Sequence, residues 1–444
     1  MRRTSLFLAF AFTVMADPVS SVAYAIESAL RSLDGDLASL VPAMAAIIAI
    51  IAVISATYHE LIGRFPSGGG GPEGVASAFG EGWAFIPLGA LLVDFTLTVA
   101  VSCAAAASAL IAYVPDLEPA RIPIGLVLVA LVAGGVLLGQ LGRVAFATAS
   151  LLFIALALGV IAAGAFAEPS AAGPHHLGPG TPAVADPALG PALLAIPLGM
   201  ALATGVEAPS NAIAQLPQLD RVTRRRFGHW TLWLMVGIVG VLTIGLAAVA
   251  VRLGEGLPPE DSTLLAQVAR DALGAGPGFA AFQAVSALLL LSAAASSYLA
   301  GSGVLKALAT LGREGEGLLP GRFGRVNRFL VPEWGVALVL AAAAILVAAG
   351  GREQHLVKFY AVAVFASFLA ATIGCARLSH RDGRRLALAL NLLGAALIAA
   401  VLASNATRID GAIALLASGV VALYLWRMWV SRGRPGGVAG AGAR

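Results

Sequence analysis

The sequence predicts an all-α membrane protein of twelve spans: two inverted repeats of five helices, whose first members are discontinuous, with two helices added at the end. Three observations carry that expectation. Hydrophobic residues make up 59% of the 444 positions and charged residues only 12%, with a mean hydropathy of +0.89, a balance that suits lipid as the main solvent. Apolar runs of about 20 residues, the length that crosses a bilayer, recur along the whole chain. The first and sixth of these runs each place an acid and a proline at mid-span, as Asp17-Pro18 and as Glu207-Ala208-Pro209.

Taken in order, spans are expected at about 5–30, 38–60, 82–114, 123–141, 143–167, 192–217, 228–253, 278–311, 333–350, 355–377, 386–404 and 411–430. The chain then divides into a first five-helix repeat at 1–167, an outer loop at 168–191, a second repeat at 192–380, and helices 11 and 12 with a short cytoplasmic tail at 381–444. No stretch is left over for a soluble domain. Residues 1–16 make a passable signal peptide, with Arg2 and Arg3 ahead of a short apolar core, but its removal would halve a span of the right length.

With the N-terminus inside, cytoplasmic segments hold 21 of the 28 Lys and Arg and the outer segments hold seven. The positive-inside rule then places both termini in the cytoplasm of a multi-pass protein of the cell membrane. The net charge of +4 therefore reads as topology, and no nucleic-acid partner is expected. Cys103 and Cys375 both fall inside spans and read as small packing residues.

Helix 1 puts a carboxylate and a proline in the middle of lipid, where an acid is costly and marks a functional site. Asp17 has two possible roles, to cap the outer half of the helix, with Pro18 at the first helical position, or to hold a cation. Helix 6 repeats the peculiarity, with Thr204, Gly205, Glu207 and Pro209 at mid-span. Two discontinuous helices in corresponding positions are the pattern of secondary transporters, whose substrate site lies near the bilayer midplane. In helix 3, Asp94, Thr98 and Ser102 stand at i, i+4 and i+8, so one face carries an acid and two hydroxyls.

A charge count joins these pieces. Asp17, Asp94 and Glu207 lie about 12 to 16 residues into their spans, and no Lys or Arg reaches a comparable depth, Lys306 and Lys358 falling near helix ends. Three buried carboxylates without a protein cation must bind a cation, be protonated, or both. Glu207, beginning the inner half of helix 6 among Val206, Ala208 and Pro209, is the acid best placed to take up and release a proton.

Other features are quieter than they look. The run SGGGGPEG at 67–74 lacks the Lys-Ser/Thr ending of a phosphate loop and reads as a flexible loop or re-entrant turn. His175 and His176 have no nearby partner ligand and read as solvated surface. The sequon at Asn405-Ala-Thr407 carries no weight, since nothing indicates a glycosylating compartment. No metal-ligand cluster, nucleophile with a base, or phosphate loop supports an enzyme, and no cofactor is expected.

The segments DPVSSVAYAIE (17–27), GGGGPEG (68–74), LLVDFTLTVAVSCAAA (91–106), TGVEAPSNAI (204–213), LLPGRF (318–323) and FYAVAVFASFLAATIG (359–374) resemble the APC superfamily of transporters. Within it they are most similar to the KimA-type potassium–proton symporters, and the acid with a tyrosine seven residues on, Asp17 and Tyr24, is shared with the Kup-type potassium transporters. The resemblance covers helices 1 to 10 and implies a LeuT-type 5+5 fold. Carried over position by position, it implies potassium ligands at Asp17, Tyr24, Asp94, Thr98, Ser102, Thr204 and Tyr360 and a proton-coupling acid at Glu207. Tyr24 and Tyr360 rest on the resemblance alone. This sequence departs from the family in carrying Pro18 where small residues are common. It also stops at Arg444, whereas the KimA-type proteins carry a sizeable cytoplasmic C-terminal domain, which puts nucleotide control or dimerisation through that domain in doubt.

The expected function is proton-coupled potassium uptake, with a potassium ion, a proton and the lipid bilayer as partners and a homodimer allowed. The alternative is an amino acid or amine permease of the same superfamily. Amino-acid members carry a Gly-rich break in helix 1 that leaves bare amides for the substrate carboxylate, whereas ADPVSS offers an acid that would repel it. A channel or membrane enzyme is a third and weaker class.

Overall fold

A computed structural model describes residues 3–139, 142–167, 189–311 and 317–443. The expected loop at 168–191 lies almost wholly outside the described residues, as do His175 and His176. Among the described residues the fold is helical, without a strand, and eleven helical segments are long and apolar enough to cross a membrane.

The N-terminal run is not one of the eleven, because it is divided into α1 (Arg3–Val14), α2 (Ala16–Ser20) and α3 (Val22–Ser32). After it come α4 (Leu37–Arg64), the short α5 (Gly70–Phe79), α6 (Phe85–Tyr113), α7 (Arg121–Leu137) and α8 (Arg143–Phe166). A second broken run holds α9 (Leu189–Gly199) and α10 (Ala208–Ala212). Then follow α11 (Arg221–Leu253), the short α12 (Leu264–Leu273), α13 (Pro277–Ala309), α14 (Glu333–Gly350), α15 (Glu353–Arg381), α16 (Arg385–Ala406) and α17 (Ile409–Ser431).

Burial sorts these helices into layers. Most of α6 and α15 is inside the protein, whereas α14, α16 and α17 turn most of their surface outward. In lipid no hydrophobic force separates helix from bilayer, so close approach through small residues decides which helices pair. The run Ala104–Ala107 of α6 is fully buried or nearly so, and α13, against which α6 packs most extensively, contributes the buried Ala293, Ala294 and Ala295.

The two interrupted runs differ in kind. Met15 (φ −76°, ψ −10°) and Ser21 (φ −62°, ψ −25°) both keep right-handed helical geometry, so the first run is jointed without being unwound. Asp17 lies in the first turn of α2, whose N-cap is Met15, and no side chain caps that helix. The expected capping role of Asp17, with Pro18 at the first helical position, is therefore corrected. Pro18 removes one backbone donor, and the surrounding helix tolerates the loss because neighbouring carbonyl–amide bonds, such as Val19 to Met15 at 3.0 Å, persist.

The second run breaks fully. After α9 comes a tight turn at Met200–Ala203, an extended Thr204 (ψ 142°), and Gly205 at φ +79°. A Cβ on Gly205 would sit 2.6 Å from Pro18 Cδ and 3.3 Å from Asp17 Oδ2, so glycine is required both by the left-handed backbone and by the close approach of the first run. Gly205→Ala is expected to destabilise the protein by at least ~1–2 kcal/mol from backbone conformation alone, read as a lower melting temperature in detergent. An unchanged melting temperature would contradict this.

The glycine-rich stretch after α4 is a tight turn that leads directly into α5, with Gly70 set against Ser210 and Asn211 of α10. Gly70 (φ +47°) has no room for a side chain, because a Cβ there would strike Asn211 and sit 2.8 Å from Ser210 Oγ. The end of the chain also returns to the bundle. Val438 and Ala441 are buried against Leu308, Leu311 and Leu318, and the Gly437 amide donates to Glu81 Oε1 at 2.8 Å.

Candidate functional site

The break in the second run, the joint in the first, and the middle of α6, α4 and α15 converge on one buried polar centre. Thr98, Ser102, Thr204, Tyr24 and Tyr360 are each at most 1% exposed, with Asp94 at 2% and Glu207 at 5%. Asp17 is partly buried and reaches the wall of a cavity.

Two chains of hydroxyls hold this centre together. The Tyr24 hydroxyl donates to Ser21 Oγ at 3.1 Å, and Ser21 Oγ lies 2.7 Å from Thr204 Oγ1, which also donates to the Ala201 carbonyl at 2.9 Å. In the second chain Thr98 Oγ1 is 2.9 Å from the Asp94 carbonyl and 3.0 Å from the Tyr360 hydroxyl. The chains meet where the rings of Tyr24 and Tyr360 make an edge contact, centroids 6.4 Å apart.

The acids themselves are left over. Asp17 Oδ1, Asp94 Oδ1, Glu207 Oε2 and Ser102 Oγ are buried and accept or donate no hydrogen bond. The charges of Glu207 and Asp17 both reach Asp94, so the three carboxyl groups share one field. None of the ion pairs among the described residues includes any of them. An unpaired buried charge costs several kcal/mol. An oxygen-rich centre that none of the ion pairs among the described residues reaches suits a hard cation or a proton.

Three further residues belong to the centre that sequence reasoning did not single out. Ser21 bridges Tyr24 to Thr204. Tyr58 of α4 is fully buried, its hydroxyl has no partner, and the charges of Glu207 and Asp94 both reach it. Asn211, one turn beyond Glu207, keeps an unpartnered Oδ1 and lines the cavity. Tyr58 lies near the end of its span beside His59 and Glu60, where a tyrosine reads as an interface residue, so the sequence offered no signal for it.

Access to the centre is one-sided. A cavity of about 540 Å³ runs from Asp17 and Glu207 past Asn211 to Gln215 and Thr13, along residues that precede Asp17 and follow Glu207. In the other direction, past Tyr24 and Ser102, a polar layer closes the path. Glu27 accepts from Arg31 at 2.8 Å and from the Leu264 amide at 3.0 Å. Ser108 donates to Glu353 and accepts from Arg121, each at 2.5 Å, while Arg121 also donates to the Glu260 carbonyl at 2.7 Å. Ser28 donates to Gln354 at 2.7 Å. These bonds tie α3, α6, α7, the segment before α12, and α15 into one lid.

Comparison with known proteins agrees with this architecture. A family model described as amino acid permease matches residues 5–424. The chain is 30% identical over 372 residues to the "Potassium transporter KimA" of Bacillus subtilis (strain 168), an alignment covering 81% of this chain and 59% of that relative. The chain thus spans somewhat over half the length of the curated relative it matches. A transport family, a buried polar centre open to one side, and a helical membrane fold make this chain a transport protein rather than an enzyme. It is a multi-pass membrane transporter that belongs to the amino acid permease (APC) family.

Proposed function

We propose that this protein takes up potassium in symport with protons. The observation that carries the reading is the set of buried, unpartnered oxygens on Asp17, Asp94 and Glu207, none of which pairs with a basic side chain among the described residues. Asp17, Asp94, Thr98, Ser102, Thr204, Tyr24 and Tyr360 form the potassium site, with oxygens replacing the water shell of the ion. Glu207 carries the proton. The similarity to a potassium transporter supports the choice of ion.

The same reading takes the α1–α3 run as a twelfth span and groups the chain as two inverted five-helix repeats, 1–167 and 192–380, joined by a loop at 168–191 and followed by two helices and a tail at 381–444. Both termini lie in the cytoplasm of a plasma-membrane protein, as the arginines at 221–226 and 377–385 support. The cavity at Asp17 and Glu207 then faces inward and the Arg121–Ser108–Glu353 layer seals the outside, an inward-facing stage of alternating access.

A second reading, transport of an amino acid, follows from the family description. The joint in the first run argues against it. A carboxylate substrate needs bare amides, yet the backbone there stays helical, and at the second break the Thr204 and Val206 amides bond to Ala201 and Ala203. An amine fits the acids better and is the sharper competitor.

Expression in a strain lacking potassium uptake tests the reading: growth at limiting potassium is expected. Absence of rescue, with the protein confirmed in the membrane, moves the assignment to an amine or amino acid permease. Asp17→Asn refines the test. Since Asp17 caps no helix, the substitution is expected to leave expression and melting temperature unchanged while transport is lost; an active variant would remove this charge from the site.

A further inference from the structure

We propose that a basic groove between α4, α11 and α16 binds the headgroup of an anionic phospholipid, a site separate from the transport centre and independent of the ion transported. The groove holds about 440 Å³ and is lined by His59 and Glu60 of α4, Trp233 of α11, and Arg384, Arg385 and Leu390 at the start of α16.

Its walls divide by chemistry. Leu386 is 76% exposed, and Leu390 and Trp233 also face outward from helices that cross the membrane, which gives an acyl chain an apolar track. At the other end the groups are basic. Arg385 and Arg225 are exposed, and the charges of Arg225 and Arg384 both reach His59. His59 is fixed in place, stacked on His229 with ring centroids 3.6 Å apart and accepting a hydrogen bond from Trp233 Nε1 at 3.2 Å.

The acid in the groove is already satisfied. Glu60 accepts from Arg64 at 2.7 Å, Ser379 at 2.6 Å, Asn391 at 2.7 Å and Arg384 at 3.2 Å, and Asp382 pairs with Arg64 at 2.6 Å. Its remaining repulsion toward an anion is small. The net field of the groove is therefore positive. The depth is right as well, because the exposed Trp230 and Trp233 beside the arginines at 221–226 form the aromatic and basic belt that marks a membrane interface. A basic pocket between membrane helices at headgroup depth, continuous with an apolar track, fits a phospholipid better than a free anion.

The test uses the purified full chain in detergent, with native mass spectrometry of bound phosphatidylglycerol against phosphatidylcholine. Wild-type protein is expected to retain phosphatidylglycerol preferentially. Arg225→Gln with Arg385→Gln removes two exposed charges that make no ion pair among the described residues, and is expected to lower that retention about 30-fold with an unchanged melting temperature in lipid-free detergent. Should the double variant fail to fold, Ala387→Trp, which fills the groove from α16, is expected to lower retention in the same way. Equal retention of the two lipids by wild type, or undiminished retention by the variant that folds, would overturn the proposal. Displacement of the lipid by millimolar inorganic phosphate would overturn it too, by making the groove a site for free anions.

Discussion

Asp94→Asn is expected to lower uptake of rubidium and potassium by about 30-fold or more, while Ser102→Ala is expected to weaken it only about fivefold. Asp94 is a full charge, 2% exposed, in the uninterrupted helix α6, and its Oδ1 has no partner in the protein. Losing one member of a buried charge pair costs about 2–5 kcal/mol, which is the origin of the larger figure. A single neutral hydroxyl contributes about 1 kcal/mol, which sets the smaller one. Isotope uptake by cells expressing each variant at matched levels checks both. Normal transport by Asp94→Asn would remove that acid from the site.

The second large effect is on coupling. Glu207→Gln mimics the protonated acid at nearly constant shape, so this variant is expected to bind potassium yet fail to accumulate it against a gradient, with residual transport that no longer depends on pH. Glu207 stands where the break in the second run gives way to α10, its Oε2 buried without a partner and its side chain on the wall of the cavity. That position lets a proton arrive from the open side while the carboxyl still shares a field with Asp17 and Asp94. Concentrative, pH-dependent uptake by the Gln variant would make Asp17 the next candidate.

The fold was legible where its cause is local. Lipid forces long apolar runs, and among the described residues eleven segments long enough to cross a membrane lie at or near the positions expected, one of them, Ala192–Gln215, carrying the break. The break at Thr204-Gly205 was legible too, because TGVEAP combines a residue free to take positive φ with a helix-starting proline. The joint at Asp17 differs in detail from what the local sequence favours. Asp-Pro favours an extended residue and a cap, but packing around buried Ala16, Val19 and Ser20 keeps the backbone helical and leaves the carboxylate free of any capping bond.

The hydroxyls of the site show the limit of a single sequence. Ser20 bonds the carbonyl of Asp17 at 2.7 Å, the usual fate of serine in a membrane helix, while its neighbour Ser21 links Tyr24 to Thr204, 183 residues away. Nothing local distinguishes the two. Likewise Tyr58 and Asn211 acquire their place in the site only because α4 and α10 pack against it, and the glycine turn at 68–70 gains its meaning only from the close approach of Gly70 to Ser210 and Asn211.

Proteoliposomes containing the purified chain test the central claim most directly, with rubidium uptake followed under an imposed proton gradient, acid outside. The account predicts accumulation above the external concentration that collapses when the gradient is dissipated and is inhibited by potassium but not by amines or amino acids. Saturable accumulation of a labelled amine or amino acid, with no rubidium uptake under the same gradient, would contradict it.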